Sequence, residues 1–502
     1  MWNIVVGPPG TGKTTFLLNE VEKCLEKGTR PERIAYLAFT RKAAREALDR
    51  AVEKFILDPK DLPYFRTIHS LCYHQLNFKK SDVLAGTDLK EFGQLIGERI
   101  SGSWSSLEGT PSITTKAAKM LFLENISRNK RTSYKEEWAT PNGNANDFTW
   151  IHFDWFCRSY EKYKNARFLN DYTDMLERFL ESRNIPDLDV LFIDEAQDLS
   201  ALQWECVRKL AKKANEVFVA GDDDQAIYNW AGADVQQFID LEGKEIQLKD
   251  SYRVPQKVHE LANQIITRTK NRRQKDWLPR KEKGTLTFHT SYEHIDLSTG
   301  NWLILARNNY MLNNIEEYLK IIGVFYQRNE RYSVRKSLLN AIYAWEALRK
   351  GKKVSLKQVK SVYSCISAGI GIKRGKKNLK TADSDMLYGM EDLKKEHGLL
   401  VNTIWHEAFD RIGVQEREYL ISCLRKEEKI TDPRVKLSTI HAAKGGESDN
   451  VVLLTDIANS SWVEMGRNPE GENRIFYVAV TRTKENLHII QPMTNKYFQV
   501  TY

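Results

Sequence analysis

Apolar positions open the chain as a short block from Asn3 to Val6. A glycine-rich turn follows from Gly7 to Gly12, then a helical pattern from Lys13 to Lys27 and a second apolar block from Ile34 to Phe39. Short continuous apolar runs bounded by turn residues read as strands covered on both faces, so this opening predicts a parallel α/β unit. The pattern thins between Lys79 and Arg167, where Gly, Ser, Thr and Asn gather over 101–115 and 140–146 with helical stretches between them. An inserted, mostly helical domain is expected there. Strand signals return at Val190 to Ile193, Val217 to Ala220 and Ile246 to Leu248, then at Leu286 to His289 and Leu303 to Ala306. A second sheet is expected to begin near residue 251, to break off, and to resume at Val435 to Thr439, with Val451 to Leu454 and Leu487 to Ile490 as its last strands.

Composition narrows the classes. With 502 residues, 41% hydrophobic and 28% charged, the chain suits several packed units and lies far from a disordered composition. No apolar run approaches the ~20 residues that span a bilayer, and the first residues lack the basic start of a secretion signal. A cytoplasmic protein with no membrane partner is expected. Six cysteines stand far apart without a C-x-x-C pair, a pattern of reduced core thiols rather than a zinc or iron–sulfur site. Lys and Arg exceed Asp and Glu by 76 to 67, a net +9, which fits either a polyanionic partner or mere solubility. The excess concentrates between Arg349 and Lys380, which hold eleven Lys or Arg and no Asp or Glu. Such a run is either a solvated face or a grip on duplex DNA.

One stretch carries chemistry directly. Gly7-Pro8-Pro9-Gly10-Thr11-Gly12-Lys13-Thr14 fits the phosphate-loop pattern G-x-x-x-x-G-K-[ST], with Thr15 following into the helix. A strand leads in and a helix leads out, so backbone N–H groups and the helix N-terminus converge on an anion. Lys13 is expected on the β and γ phosphates of ATP, and the Thr14 hydroxyl on Mg²⁺. The apolar run Val190 to Ile193 delivers Asp194 and Glu195 at its carboxyl edge, where open α/β sheets bind ligands. Asp194 is expected to hold the metal and Glu195 to polarise the attacking water, although such an acid pair also suits a helix N-terminus.

A series of further strings follows in order: Ala38-Phe39-Thr40-Arg41-Lys42-Ala43-Ala44, Thr67-Ile68-His69-Ser70, Asp194-Glu195-Ala196-Gln197-Asp198 and Gly221-Asp222-Asp223-Asp224-Gln225, with Ile227-Tyr228-Asn229-Trp230 behind it. Ser251-Tyr252-Arg253, Thr439-Ile440-His441-Ala442-Ala443-Lys444-Gly445 and Tyr477-Val478-Ala479-Val480-Thr481-Arg482 complete the series. One such string arises by chance; all of them in this order do not. The chain resembles the UvrD/Rep/PcrA-type DNA helicases of superfamily 1, over nearly its whole length apart from the two inserted regions. The resemblance implies an α/β fold of two RecA-like P-loop domains with parallel sheets, each carrying an inserted, mostly helical accessory domain. The boundaries expected are 1–78 and 168–250 for the first domain around an insertion at 79–167, and 251–346 and 434–502 for the second around a short basic insertion at 347–433.

By the same resemblance Gln225 senses the γ-phosphate, Arg253 and Arg482 reach it from the second sheet domain, Tyr252 stacks on the base and Glu447 approaches the ribose. Arginines suit that place because charge spreads over the phosphoryl oxygens during transfer. Phe39, Tyr228 and Trp230 are assigned with Thr40, His69 and His441 to a single-stranded DNA track, in keeping with the aromatic stacking that sequence-tolerant strand binding uses. The aromatic series from Phe148 to Tyr163 has helical spacing and reads as helix core. Relatives carry an adenine-reading glutamine ahead of the phosphate loop, and only six residues precede Gly7 here. ATP held by Tyr252 with weaker discrimination against other nucleotides is therefore expected. Ala231 and Gly446-Glu447-Ser448 are two further departures from the family pattern. The expected activity is a DNA-stimulated ATPase that moves along single-stranded DNA, 3′ to 5′ by analogy of the late motif, and opens duplexes at single-strand junctions. A translocase that displaces proteins but unwinds weakly, an RNA helicase, and a nucleotide-gated recruitment subunit are the alternatives.

Overall fold

The structure, a computed structural model, describes the chain except residues 101–114, 141–147, 330, 380, 381, 384, 427, 429–431 and 502. The polar loops expected over 101–115 and 140–146 lie, apart from Thr115 and Thr140, outside the described residues, as does Lys380 at the end of the basic run. Two compact units form: Met1–Lys283 with Glu464–Thr481, and Gly284–Val463 with Arg482–Val500.

The first unit holds a six-stranded sheet of β1 (Trp2–Val6), β2 (Ile34–Ala38), β3 (Phe65–Thr67), β4 (Val190–Ile193), β5 (Glu216–Gly221) and β6 (Lys244–Gln247). Their order is β3-β2-β4-β5-β1-β6, with every pairing parallel. Side chains alternate across a strand, and here both faces are apolar. Ile4, Val6, Ala35, Leu37, Leu191, Ile193, Val217 and Val219 fill one core, while Val5, Ile34, Tyr36, Ala38, Val190, Phe192, Phe218 and Ala220 fill the other. That two-sided burial is why the strands read as unbroken apolar runs. At the edge, β6 carries exposed Lys244 and Glu245, a charged rim of the kind that discourages pairing with another chain.

Between β3 and β4 a helical insertion has its own core, running from Leu84 to Leu169. Helix Trp150–Arg167 buries Phe153, Phe156, Tyr160 and Tyr163, so this aromatic series is largely core, with Trp155 exposed. The insertion is pinned by buried charge. Arg128 contacts Glu124 and Asp171 at 3.1 Å each, Asp174 at 2.5 Å and Glu177 at 2.6 Å. Lys164 contacts Asp171 at 2.5 Å and Asp174 at 2.7 Å.

The limit expected at residue 250 is not where the first unit ends. Helix Gln256–Ile266 buries Val258, Leu261, Ala262, Ile265 and Ile266, and it packs with helix Pro469–Val480 inside the first unit. Residues 251–283 supply no strand, and the second sheet starts at β7 (Thr285–His289) rather than near 251. Its other members are β8 (Trp302–Ala306), β9 (Tyr326–Arg328), β10 (Arg331–Tyr332), β13 (Val435–Thr439), β14 (Ser448–Leu454) and β15 (Thr483–Ile490), while β11 (Val354–Ser355) and β12 (Leu387–Tyr388) form a small separate ribbon. The order is β10-β9-β13-β8-β14-β15-β7, parallel except for β10 against β9. The helical stretch between β10 and β13 does not keep a core of its own. Trp345, Tyr363, Phe409 and Tyr419 join Ile304, Leu437 and Val452 of the sheet in one continuous cluster.

Removing one partner of a buried ionic cluster leaves uncompensated charge, which costs about 3–5 kcal/mol. Arg128→Ala is therefore expected to destabilise the first unit by that order, read as a lowered melting temperature, whereas Arg45→Ala, at an exposed pair with Asp49, leaves the melting temperature nearly unchanged.

Candidate nucleotide and single-strand site

Strand β1 ends at Val6 and passes the chain directly into the phosphate loop, beside the carboxyl end of β5, where Gly7 N donates to Gly221 O at 3.1 Å. Across the loop Lys13 Nζ donates to Gly7 O at 3.0 Å and Thr11 Oγ1 to Pro8 O at 2.8 Å. Thr15 is exposed at the start of helix Lys13–Glu26. Gly10 has a φ of +75°, and a Cβ there would stand 2.5 Å from Arg253 Cβ. Two conditions thus demand glycine at once, a left-handed backbone and a close neighbour. That neighbour is held in place: Ser251 Oγ donates to Pro9 O at 2.7 Å and Tyr252 N to Gly10 O at 2.9 Å. Arg253 was expected to arrive from the second sheet domain. It belongs to the first unit, because these two hydrogen bonds tie its segment to the phosphate loop. Tyr252 is 77% exposed, leaving its ring available to a base.

Asp194 sits at the end of β4, buried, with Oδ2 accepting from Tyr36 OH at 2.7 Å and from Thr14 Oγ1 at 2.9 Å. Burial pushes its carboxyl above the usual range and the charge of Glu195 adds to this, against the Tyr36 and Thr14 hydrogen bonds and the charge of Lys13. A carboxylate pushed upward is short of positive charge, and a carboxylate with a hydroxyl is the oxygen donor set a small hard cation takes. The pair therefore fits Mg²⁺. Glu195 has a φ of +54°, a conformation that costs a non-glycine residue about 1–3 kcal/mol and clusters at functional sites. Gln197, fully buried, donates from Nε2 to Glu195 Oε2 at 2.5 Å and accepts at Oε1 from Asp222 N at 3.0 Å. One side chain thus joins the end of β4 to the end of β5.

Beyond β5, Gln225 Nε2 donates to Asp222 Oδ2 at 2.7 Å. Asp222, Asp223 and Asp224 are all buried, and Lys275 meets them at 2.9, 2.5 and 2.9 Å. Arg272 adds two contacts to Asp224 at 2.7 and 2.5 Å, and Arg474 Nε donates to Asp223 O at 3.0 Å. The sequence offered Gln197 and Ser251 only as members of motif strings, without a role, and Tyr36 and Lys275 were not singled out. The signal for Lys275 was present in part: three adjacent acids behind an apolar strand need a counter-charge if they are buried, but nothing in the chain said which lysine supplies it.

The aromatic residues assigned to the strand track fall into two groups. Phe39 and Tyr228 stack with ring centroids 5.4 Å apart, at the ends of β2 and of the Gln225 segment. Trp230 is 43% exposed and stacks nearly parallel to the Phe122 ring, with centroids 6.5 Å apart. Thr40 Oγ1 caps helix Arg41–Phe55, accepting from Ala43 N at 3.2 Å. His69 is buried edge-on to Tyr172 and lines a cavity of about 670 Å³ with Arg41, Arg66, Thr67 and Tyr73.

The second unit holds the remaining residues. Arg482 is buried just before β15 and its Nη1 donates to Gly446 O at 3.3 Å. The adjoining Glu447 pairs with Lys484 at 2.9 Å. The parallel pairing of Ser448 with Thr483 thus brings Glu447 and Arg482 to one place. His441 follows β13, partly buried.

A strand–loop–helix phosphate cradle, an acid pair at the end of a neighbouring parallel strand and a glutamine beyond the next strand define a P-loop nucleotide-binding protein of RecA-like build. The UvrD/REP helicase N-terminal domain matches residues 2–245 and the UvrD-like helicase C-terminal domain matches residues 416–493. The chain belongs to the UvrD/PcrA-type helicase family of superfamily 1. It is 26% identical over 318 residues to the ATP-dependent DNA helicase PcrA of Staphylococcus aureus, covering 58% of this chain and 40% of that protein. Against the protein of the same name from Staphylococcus epidermidis it is 26% identical over 301 residues, covering 54% and 39%. The chain spans about two fifths of the length of the curated relatives it matches.

Gly10→Ala is expected to force residues 251–253 away from the loop at a strain of about 1–3 kcal/mol, and so to weaken binding of a fluorescent ATP analogue by roughly 5- to 150-fold. Gly28→Ala is the control, since Gly28 has a φ of +87° but nothing within 4 Å; it should leave the affinity unchanged.

Proposed function

We propose that this chain is an ATP-driven motor on single-stranded DNA that couples hydrolysis to opening of duplexes at single-strand junctions. The observation that carries the reading is the continuity of two kinds of site in the first unit. Phe39 directly follows β2, whose Tyr36 holds Asp194, and Tyr228 stacks on it three residues beyond Gln225. Displacement at the γ-phosphate and at a base-stacking pair thus shares short, stiff connections.

In this reading the phosphate loop and Lys13 hold the triphosphate, while Tyr252 offers its exposed ring to the base. Thr14 and Asp194 would hold Mg²⁺, which when bound supplies charge neutralisation at the phosphates. Glu195, oriented by Gln197, accepts a proton from the attacking water. The new oxygen–phosphorus bond forms as the bond to the β–γ bridging oxygen breaks, releasing ADP and phosphate. Gln225 and Arg253 face the transferring group from the first unit, and Arg482 is assigned to it by the family pattern. Contacts to the γ-phosphate bias a two-state equilibrium that hydrolysis releases, and the aromatic track converts the change into a step along the strand. The family's late motif, Thr439 to Gly445, supports 3′ to 5′ movement. The exposed lysines of the stretch that begins at Arg349 offer a surface for the duplex phosphates.

The test is ATPase rate with and without single-stranded DNA, together with unwinding of matched 3′-tailed and 5′-tailed duplexes. DNA-stimulated turnover and opening of the 3′-tailed substrate are expected. Stimulation without unwinding would mark a translocase, RNA as the better activator an RNA helicase, and no turnover a recruitment subunit. Glu195→Gln should lower kcat by about 10²–10⁴-fold while nucleotide binding persists, and Lys13→Ala should abolish binding of the ATP analogue. Tyr228→Ala should weaken single-strand affinity by about 1–3 kcal/mol, measured by fluorescence anisotropy.

A further inference from the structure

Lys275 is buried, its side chain 2% exposed, yet it carries a charge in contact with all three members of the Asp222–Asp224 run. A lone buried cation is costly, and so is a cluster of buried carboxylates; here each is the other's compensation. The contacts are also specific in direction. Lys275 Nζ sits on Oδ1 of Asp222 at 2.9 Å, where Asp224 N also donates at 3.2 Å, and this leaves Oδ2 to receive Gln225 Nε2 at 2.7 Å. Asp222 N is meanwhile fixed by Gln197, the same side chain that holds Glu195.

We infer that Lys275 is a positioning residue for ATP hydrolysis: by clamping one oxygen of Asp222 it presents the other to Gln225 and so sets the side chain that meets the γ-phosphate. The inference rests on the proposed ATPase reading of the site. Burial drives the Asp222 carboxyl upward, but the charges of Lys275 and, after it, Lys13 bring it below the usual range. Without Lys275, Asp222 would keep Lys13 as its other cation. Its Oδ1 would then be held by Asp224 N without the ammonium, and Gln225 would lose its fixed acceptor while the phosphate loop keeps Lys13 on Gly7 O.

The test uses the full chain and three readouts: steady-state ATPase with single-stranded DNA, affinity for a non-hydrolysable ATP analogue, and the melting temperature. Lys275→Met, which keeps the length of the stem, is expected to lower kcat about tenfold or more. KM for ATP and affinity for the analogue should stay within about twofold, and Lys275→Arg should restore most of kcat. In a Gln225→Ala background Lys275→Met should cost nothing further, because two residues acting through one contact are not additive. A folded Lys275→Met chain with wild-type kcat, or an additive loss in the double variant, would overturn the inference. If Lys275→Met gives no cooperative melt, Asp222→Asn takes its place. It too should lower kcat while KM holds, and unchanged turnover overturns the inference. A wild-type chain without ATPase sinks the reading of the site and this inference with it; a normal wild-type ATPase with indifferent variants sinks the inference alone.

Discussion

Four buried carboxylates, Asp194, Asp222, Asp223 and Asp224, gather at the carboxyl ends of the adjacent strands β4 and β5. Taking even one such charge out of water costs several kcal/mol unless partners surround it. Much of the arrangement of the first unit around its nucleotide site answers that demand. Asp194 is met by two hydroxyls, from Tyr36 in the neighbouring strand and Thr14 in the phosphate-loop helix. The Asp222 run is met by Lys275, Arg272 and the backbone of Arg273. The groups that satisfy the acids therefore come from several segments distant in sequence, and satisfying them fixes those segments against one another.

The same demand explains the extent of the first unit. A strand-based reading would stop at β6, but residues 251–283 must travel back to supply Ser251 to the phosphate loop and Lys275 to the aspartates. Helix Pro469–Val480 returns for a related reason, with Arg474 donating to Asp223 O and to Asn271 O. Its apolar face packs on helix Gln256–Ile266. The unit is thus closed by charge and by packing together, and its limits follow contacts rather than strand order.

The two inserted regions show how differently helices can be attached to a parallel sheet. The first keeps a private core and is tied to helix Tyr172–Glu181 of the sheet layer by Arg128 and Lys164, through Asp171 and Asp174. The second spends its apolar residues on the sheet itself, in one cluster from Ile295 to Ile490. The stretch from Arg349 onward lies on that shared core with its apolar residues, Leu356, Val359, Val362 and Tyr363, turned inward, so Lys352, Lys353, Lys357 and Lys360 are left on the surface.

The sequence by itself determined the local chemistry: the glycine loop with Lys13 and Thr14, the apolar run that delivers Asp194 and Glu195, the aromatics beside them, and the family to which the ordered motifs belong. Those features rest on spacing within a few residues, where a strand or a helix fixes geometry directly. The side of the phosphate loop on which Arg253 stands, the identity of the lysine that balances three aspartates, and the bridging by Gln197 were decided only in the tertiary structure. Each depends on a partner between 25 and 243 residues away, and pairwise burial of charge over such separations has no periodicity to read. The sheet limits share this reason, since 251–283 look like the start of a new domain until their contacts are seen to be with the old one.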